Sequence, residues 1–171
     1  MNRRAAVVVN PTKLEDEELF RRHVSRLLDR YGWREPMWLP TTREDTGRGM
    51  TELAVAKGAE LVLACGGDGT VMACVSGIAN SGVPMAVLPV GTGNLLVRNL
   101  SLPTVVEDAV DVAVTGETRR IDVGRVSTDA GEWRFAVMAG VGFDAALVGD
   151  APETLKARVG WPAYVVSAAR H

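Results

Sequence analysis

Short apolar runs alternate with amphipathic segments along the first two thirds of the chain. Four of these runs have the length and the apolar composition of strands buried on both faces: AAVVV, MWLP, LVLAC and MAVLP. Helical spacing of apolar residues follows them, at 14–33, 50–59, 71–82, 95–100 and 105–116. Strands that alternate with helices predict a doubly wound α/β domain with a parallel sheet, over residues 1–118.

The pattern changes near residue 119. The next segment has two β runs around a turn at Asp129 to Gly131 without an intervening helix, which predicts an antiparallel pair. Residues 151–171 have the pattern of one or two short helices. Residues 119–171 are therefore expected to begin a second, β-rich domain that is incomplete. An unfinished sheet leaves an unpaired edge, so homo-oligomerisation through this edge is also expected.

Composition narrows the classes of function. The net charge of −2 gives no electrostatic case for nucleic acid as a partner. Cys65 and Cys74 lie in apolar runs, nine residues apart, and are expected to be buried thiols. Two histidines, His23 and His171, are too few to favour a zinc site. No signal peptide or transmembrane segment is recognisable, so we expect a cytoplasmic protein, at most peripheral at a membrane.

Two glycine-rich segments, GGDGT and GTGN, follow the third and fourth predicted strands. Ligands of open α/β sheets bind outside the carboxyl ends of the strands, where glycine lets the backbone approach a phosphate. Thr70 and Thr92 can cap helices or donate to phosphate oxygens. Asp68 would repel a phosphate unless it holds Mg²⁺ or accepts a hydroxyl proton. The alternative is a pair of ordinary strand–helix turns, with Asp68 or Thr70 as an N-cap.

Other nucleotide-binding patterns are absent from the sequence. There is no G-x-x-x-x-G-K-[ST] loop, and neither glycine segment completes G-x-G-x-x-G. In contrast, VVVNP, GGDGT and PVGTGN, in this order and spacing, resemble the diacylglycerol kinase catalytic-domain family of lipid kinases, which includes sphingosine kinases. The later segments IDVGR, AGVGFDA and LKARVGWPAY are also similar to this family. GGDGT alone is less specific, because NAD kinases and relatives of phosphofructokinase have similar loops.

The resemblance implies ATP- and Mg²⁺-dependent phosphorylation of a lipid hydroxyl at a membrane surface, with diacylglycerol favoured. Asp68 would lie near the transferred phosphoryl group and its metal, and residues 119–171 would begin the lipid-binding domain. Without the resemblance, Asn10 and Pro11 would be a strand-ending turn and Thr42 a helix N-cap. The implied nucleotide-binding residues are Asn10, Pro11, Thr12, Thr42, Gly66, Gly67, Asp68, Gly69, Thr70, Gly91, Thr92, Gly93 and Asn94.

The chain departs from the family in two places. Leu95 follows Asn94 where many relatives have an aspartate, which removes a polar group beside the pocket. The Asp-Gly-Glu segment that carries the family's general base is absent, since STDAGEW has a different spacing and the composition of a turn. The chain thus looks truncated relative to the family, and we expect it to bind nucleotide but to phosphorylate lipid poorly. Asp144, an acid within an apolar run, is a candidate for the substrate side.

Two alternatives stay open from the sequence. The first is an NAD kinase-like enzyme with a soluble substrate, although PVGTGNLLVRNL matches the lipid-kinase loop better. The second is a nucleotide-binding fragment without catalytic activity, which the missing acidic segment favours.

Overall fold

The computed structural model describes residues 3–129 and 131–138, which contain two sheets and five α-helices. The strands are β1 (Ala5–Val9), β2 (Met37–Pro40), β3 (Leu61–Cys65), β4 (Met85–Leu88), β5 (Gly124–Thr128) and β6 (Gly131–Phe135). The helices are α1 (Glu17–Arg30), α2 (Arg48–Ala56), α3 (Asp68–Ile78), α4 (Leu95–Asn99) and α5 (Val106–Thr115), with a 3₁₀ turn at Pro11–Lys13. The predicted fold class, a parallel α/β sheet followed by an antiparallel pair, is confirmed.

The first sheet is entirely parallel, in the order β2-β1-β3-β4. The chain passes from β1 outward to β2 and then returns to place β3 on the other side of β1. The direction of winding therefore changes between β1 and β3, and in such sheets a crevice opens at the carboxyl ends of the strands at this point. The paired residues Val9 and Cys65 mark those ends.

The strands β1 and β3 are buried along their whole length because helices cover both faces of the sheet. One core layer joins Val7, Val9 and Leu63 to α1 and α5. On the opposite face, the side chains of Val8 and Cys74 both approach Gly47, the N-cap of α2. This burial explains why the strands are continuous apolar runs and leaves their carboxyl ends to carry the polar residues.

The second sheet is the antiparallel hairpin of β5 and β6. Val126 faces Trp133 on one side of the hairpin, and Arg125 faces Arg134 on the other. Both sheets lie in one compact unit that ends at residue 136. The predicted domain boundary near residue 118 stays a prediction. The predicted tail helices and Asp144 lie outside the described residues. Within the described ranges, no helix is both long and apolar enough to span a bilayer.

Candidate functional site

The end of β1 is fixed by a local turn built on Asn10. Its backbone N–H donates to the carbonyl of Cys65 at 2.7 Å and so ties the turn to the end of β3. Its side-chain oxygen accepts from the N–H of Thr12 at 3.1 Å and from the Thr12 hydroxyl at 2.8 Å. Pro11 begins the 3₁₀ turn, where it has no N–H to leave unpaired. The strand-ending turn is therefore present, at the switch point of the sheet.

The first glycine loop connects β3 directly to α3. Gly67 is the N-cap of α3, so neither Asp68 nor Thr70 caps that helix as the alternative interpretation expected. Thr70 is buried, and a Cβ added to Gly66 would lie 2.6 Å from the Cβ of Thr70. Gly67 differs, because an added Cβ there would meet only the Cε of Lys13, at 3.7 Å. Gly66 is thus required by packing, whereas Gly67 leaves open space above the loop.

The second glycine loop lies against the first. A Cβ on Gly91 would come within 3.0 Å of the carbonyl oxygen of Gly66 and of the Cα of Gly67. Asn94, the N-cap of α4, has left-handed backbone angles of φ 48° and ψ 47°, which asparagine tolerates better than most residues. The backbones of the two loops are therefore in close contact.

Asp68 joins the two loops. Its Oδ1 accepts a hydrogen bond from the N–H of Leu95, 2.6 Å away, in the first turn of α4. Its Oδ2 lies 2.5 Å from the position that a Cβ on Gly93 would occupy. A carboxylate at this place satisfies one of the free N–H groups at the start of a helix and interacts favourably with its dipole. Asp68 therefore links α3 to α4, whereas the alternative interpretation predicted that it would cap α3.

A cleft of about 840 Å³ opens beside the first loop. Thr42 contributes to its wall, and its hydroxyl accepts from the N–H of Asp45 at 3.0 Å. The predicted helix cap at Thr42 is wrong, since the Asp45 carboxylate accepts the N–H groups around the start of α2. The cleft is lined by Asn10, Thr12, Lys13, Thr41, Thr42, Arg43, Thr46, Gly67, Asp68, Gly69 and Thr70. Gly91, Thr92, Gly93 and Asn94 lie outside this wall, although their loop contacts it through Gly66, Gly67 and Asp68.

Two cations of the cleft were missed from the sequence. Lys13 ends the 3₁₀ turn and Arg43 follows Thr42, so both lie one residue beyond a predicted site residue. This proximity to predicted site residues was the only signal in the sequence for the two cations, and it does not show where a long side chain points. In the described ranges, no group of three or more acidic, histidine or cysteine side chains could hold a metal. Burial, and secondarily the neighbouring Cys74, raises the pKa of Cys65 to about 12, so this thiol is not a ready nucleophile.

Together, the fold and the site define a doubly wound α/β protein with a glycine-loop cleft at its topological switch point. Residues 4–126 match the diacylglycerol kinase catalytic domain family. This match covers more than half of the chain, and the protein belongs to that family. The family resemblance expected from the sequence is therefore confirmed.

Individual relatives agree with this assignment. The chain is 33% identical over 170 residues to a diacylglycerol kinase of Bacillus subtilis, covering 95% of this chain and 53% of the relative. It is 39% identical over 118 residues to a diacylglycerol kinase of Mycobacterium tuberculosis, covering 67% and 36%. A crystal structure of a diacylglycerol kinase from Bacillus anthracis has the same fold, with a TM-score of 0.59, 24% identity and coverage of 70% and 46%. The chain spans about half, or less, of the length of these relatives.

Proposed function

We propose that the cleft binds MgATP and that the protein transfers the γ-phosphoryl group to a lipid hydroxyl, with diacylglycerol as the first candidate. The observation that carries this proposal is the convergence of the two glycine loops, joined by Asp68, beside an open cleft at the switch point. Membership of a lipid-kinase family supports the same reaction. Phosphoryl transfer depends mainly on positioning and charge stabilisation, which such a site can provide.

The described residues fit the polyphosphate part of a nucleotide. Gly67 leaves room for a phosphate close to the backbone, because it has no side chain and the Cε of Lys13 is the nearest atom to the position that a Cβ would occupy. The N–H groups at the start of α3 favour an anion. Thr12 and Thr42 add side chains with hydroxyl groups to the lining of the cleft. We assign the ATP site to these residues and to the second glycine loop.

The donor set also fits Mg²⁺, provided that the nucleotide supplies part of its shell. Mg²⁺ prefers six oxygen ligands and is commonly held by one or two carboxylates together with phosphate oxygens and water. Of the residues that the structure describes, Asp68 is the single carboxylate in the cleft wall, and one of its oxygens already accepts from the N–H of Leu95. When bound, the metal would offset the negative charge of the phosphates.

In the proposed transfer, the lipid hydroxyl oxygen bonds to the γ-phosphorus while the bond to the β–γ bridging oxygen breaks and ADP leaves. The hydroxyl proton must pass to a base. Asp68 is proposed to act near this centre, either by holding the metal or by accepting the proton, and Asp144 is the candidate on the substrate side. Because the sequence contains no Asp-Gly-Glu segment, we expect slow lipid phosphorylation by residues 1–171 even where nucleotide binding is strong.

Calorimetry with MgATP, followed by an acceptor assay with labelled ATP, tests the proposal. We expect saturable binding of MgATP and weak labelling of diacylglycerol in mixed micelles. Labelling of NAD in place of lipid would favour an NAD kinase-like enzyme. Binding without transfer to either acceptor would favour a nucleotide-binding chain without catalysis, and absence of nucleotide binding would overturn the proposal.

A further inference from the structure

We propose that Lys13 is the phosphate-binding lysine of this cleft, an inference that rests on the proposed nucleotide site. The sequence has no lysine inside either glycine loop, so any lysine at the phosphates must come from elsewhere in the fold. Lys13 comes from the turn after β1. Its Cε lies 3.7 Å from the position of a Cβ on Gly67, and the ammonium nitrogen, one bond further along, lies more than 4 Å from that position.

The turn on Asn10 explains why Lys13 reaches this place. The backbone hydrogen bond from Asn10 to Cys65 holds the turn against the end of β3. The first glycine loop begins at the next residue. The Lys13 N–H donates to the Asn10 carbonyl at 3.1 Å, which closes the 3₁₀ turn. The lysine backbone is therefore fixed, and only its side chain must be ordered by a ligand.

The charges around the cleft favour a polyanion. Among the ion pairs of the described residues, none involves Lys13 or Arg43. Asp68 is the acidic residue among the described residues of the wall, and its carboxylate is turned to the second loop, against Leu95 and Gly93. The ammonium of Lys13, a residue of the same cleft wall as Gly67, supplies positive charge for a phosphate and offsets the repulsion that Asp68 exerts on one.

This role predicts that Lys13 contributes to recognition of the phosphates and not of the nucleoside. A charge-assisted contact of this kind corresponds to about a tenfold or greater change in affinity. We therefore expect Lys13→Ala to weaken MgATP binding by about tenfold and to change adenosine binding by less than about twofold. Lys13→Arg, which keeps the charge, should stay within about threefold of the wild type for MgATP.

The experiment is calorimetric titration of the wild type, Lys13→Ala, Lys13→Arg and Lys57→Ala with MgATP and with adenosine. Lys57 is an exposed lysine at the end of α2 and is not part of the cleft wall, so its variant controls for the loss of one positive charge. The thermal midpoints of all variants without ligand should agree, because the Lys13 side chain makes no ion pair in the described residues.

The outcomes separate this inference from the proposed function. If the wild type binds no MgATP, the proposed function fails and the inference fails with it. If the wild type binds MgATP and Lys13→Ala binds it equally well, only the inference is overturned. An equal loss of MgATP and adenosine affinity in Lys13→Ala would also overturn it, since that result indicates a distorted cleft and not a lost phosphate contact.

Discussion

The carboxylate of Asp68 accepts a hydrogen bond from the backbone N–H of Leu95, with 2.6 Å between Oδ1 and the nitrogen. Asp68 is the first residue of α3 and Leu95 the first of α4, so one side chain links the two helices that follow the glycine loops. The carboxylate thus has a structural role in addition to any role in chemistry. Two substitutions can separate these roles.

Asp68→Asn keeps an oxygen that can accept from Leu95 but removes the negative charge. Asp68→Ala removes both. We expect Asp68→Asn to fold with nearly normal stability and Asp68→Ala to lose about 1.5–3 kcal/mol of unfolding free energy, the range for a hydrogen bond to a charged group. Denaturant unfolding measures this difference.

Activity provides the second measurement on the same pair. If Asp68 holds the metal or accepts the proton, both variants should lose at least ~10²-fold in lipid phosphorylation. The assay requires a form of the enzyme with measurable turnover. Near-normal turnover by Asp68→Asn, with a defect limited to Asp68→Ala, would reduce Asp68 to a link between the loops.

The two glycines at the contact between the loops should respond differently to alanine. At Gly67 the added Cβ meets only Lys13, and φ is −78°, so Gly67→Ala should fold and lose less than about 1 kcal/mol. At Gly91 the added Cβ approaches backbone atoms of the other loop at 3.0 Å and the Asn94 side chain at 2.8 Å. Gly91→Ala should therefore lose about 1–3 kcal/mol, as overpacked sites do.

For nucleotide binding, Gly67→Ala is the more informative of these two variants. Gly67→Ala places a methyl group in the open part of the cleft, so its affinity for MgATP should fall although the protein stays folded. Calorimetry checks the affinity, and thermal unfolding checks the fold. Unchanged affinity in folded Gly67→Ala would contradict the assignment of this loop to the phosphates.

The strands and the edge of the sheet at which the cleft opens could be predicted from the sequence because local signals determine both. Continuous apolar runs such as LVLAC belong to parallel strands, and the glycines after them mark the carboxyl edge of the sheet. The link from Asp68 to Leu95 could not be predicted, since it joins residues 27 apart in sequence and depends on how β3 and β4 align. The position of Lys13 was also missed, because it depends on the hydrogen bond between Asn10 and Cys65, which are far apart in the sequence.

The two cysteines should make the protein sensitive to high pH. Burial is the main cause that raises the pKa of Cys65 to about 12 and that of Cys74 to about 11. In the unfolded chain both thiols ionise near ~8.5, so the unfolded state loses its protons first. The stability from these groups is complete below that value and is lost as the pH rises towards 11 and 12.

Thiol modification at pH 8 measures the same property directly. The folded protein should react with neither cysteine on the time scale of minutes, and both should react in denaturant. Cys65→Ala should lose part of the alkaline dependence of the unfolding free energy. Rapid modification of the folded wild type would show that one thiol is accessible and would contradict the burial on which the pH dependence is based.

Removal of Mg²⁺ should affect the nucleotide complex and not the free protein. Among the described residues, Asp68 is the single carboxylate of the cleft wall, and no cluster of three ligands for a metal occurs in the same part of the chain. A metal ion that depends on phosphate oxygens for much of its shell has little affinity without them. We therefore expect EDTA to leave the thermal midpoint of the free protein unchanged but to reduce the stabilisation that ATP provides.

Asp68→Asn should reduce the same Mg²⁺-dependent part of the stabilisation by ATP if the Asp68 carboxylate is a ligand. A midpoint that falls on addition of EDTA without nucleotide would instead indicate a metal site held by the protein alone.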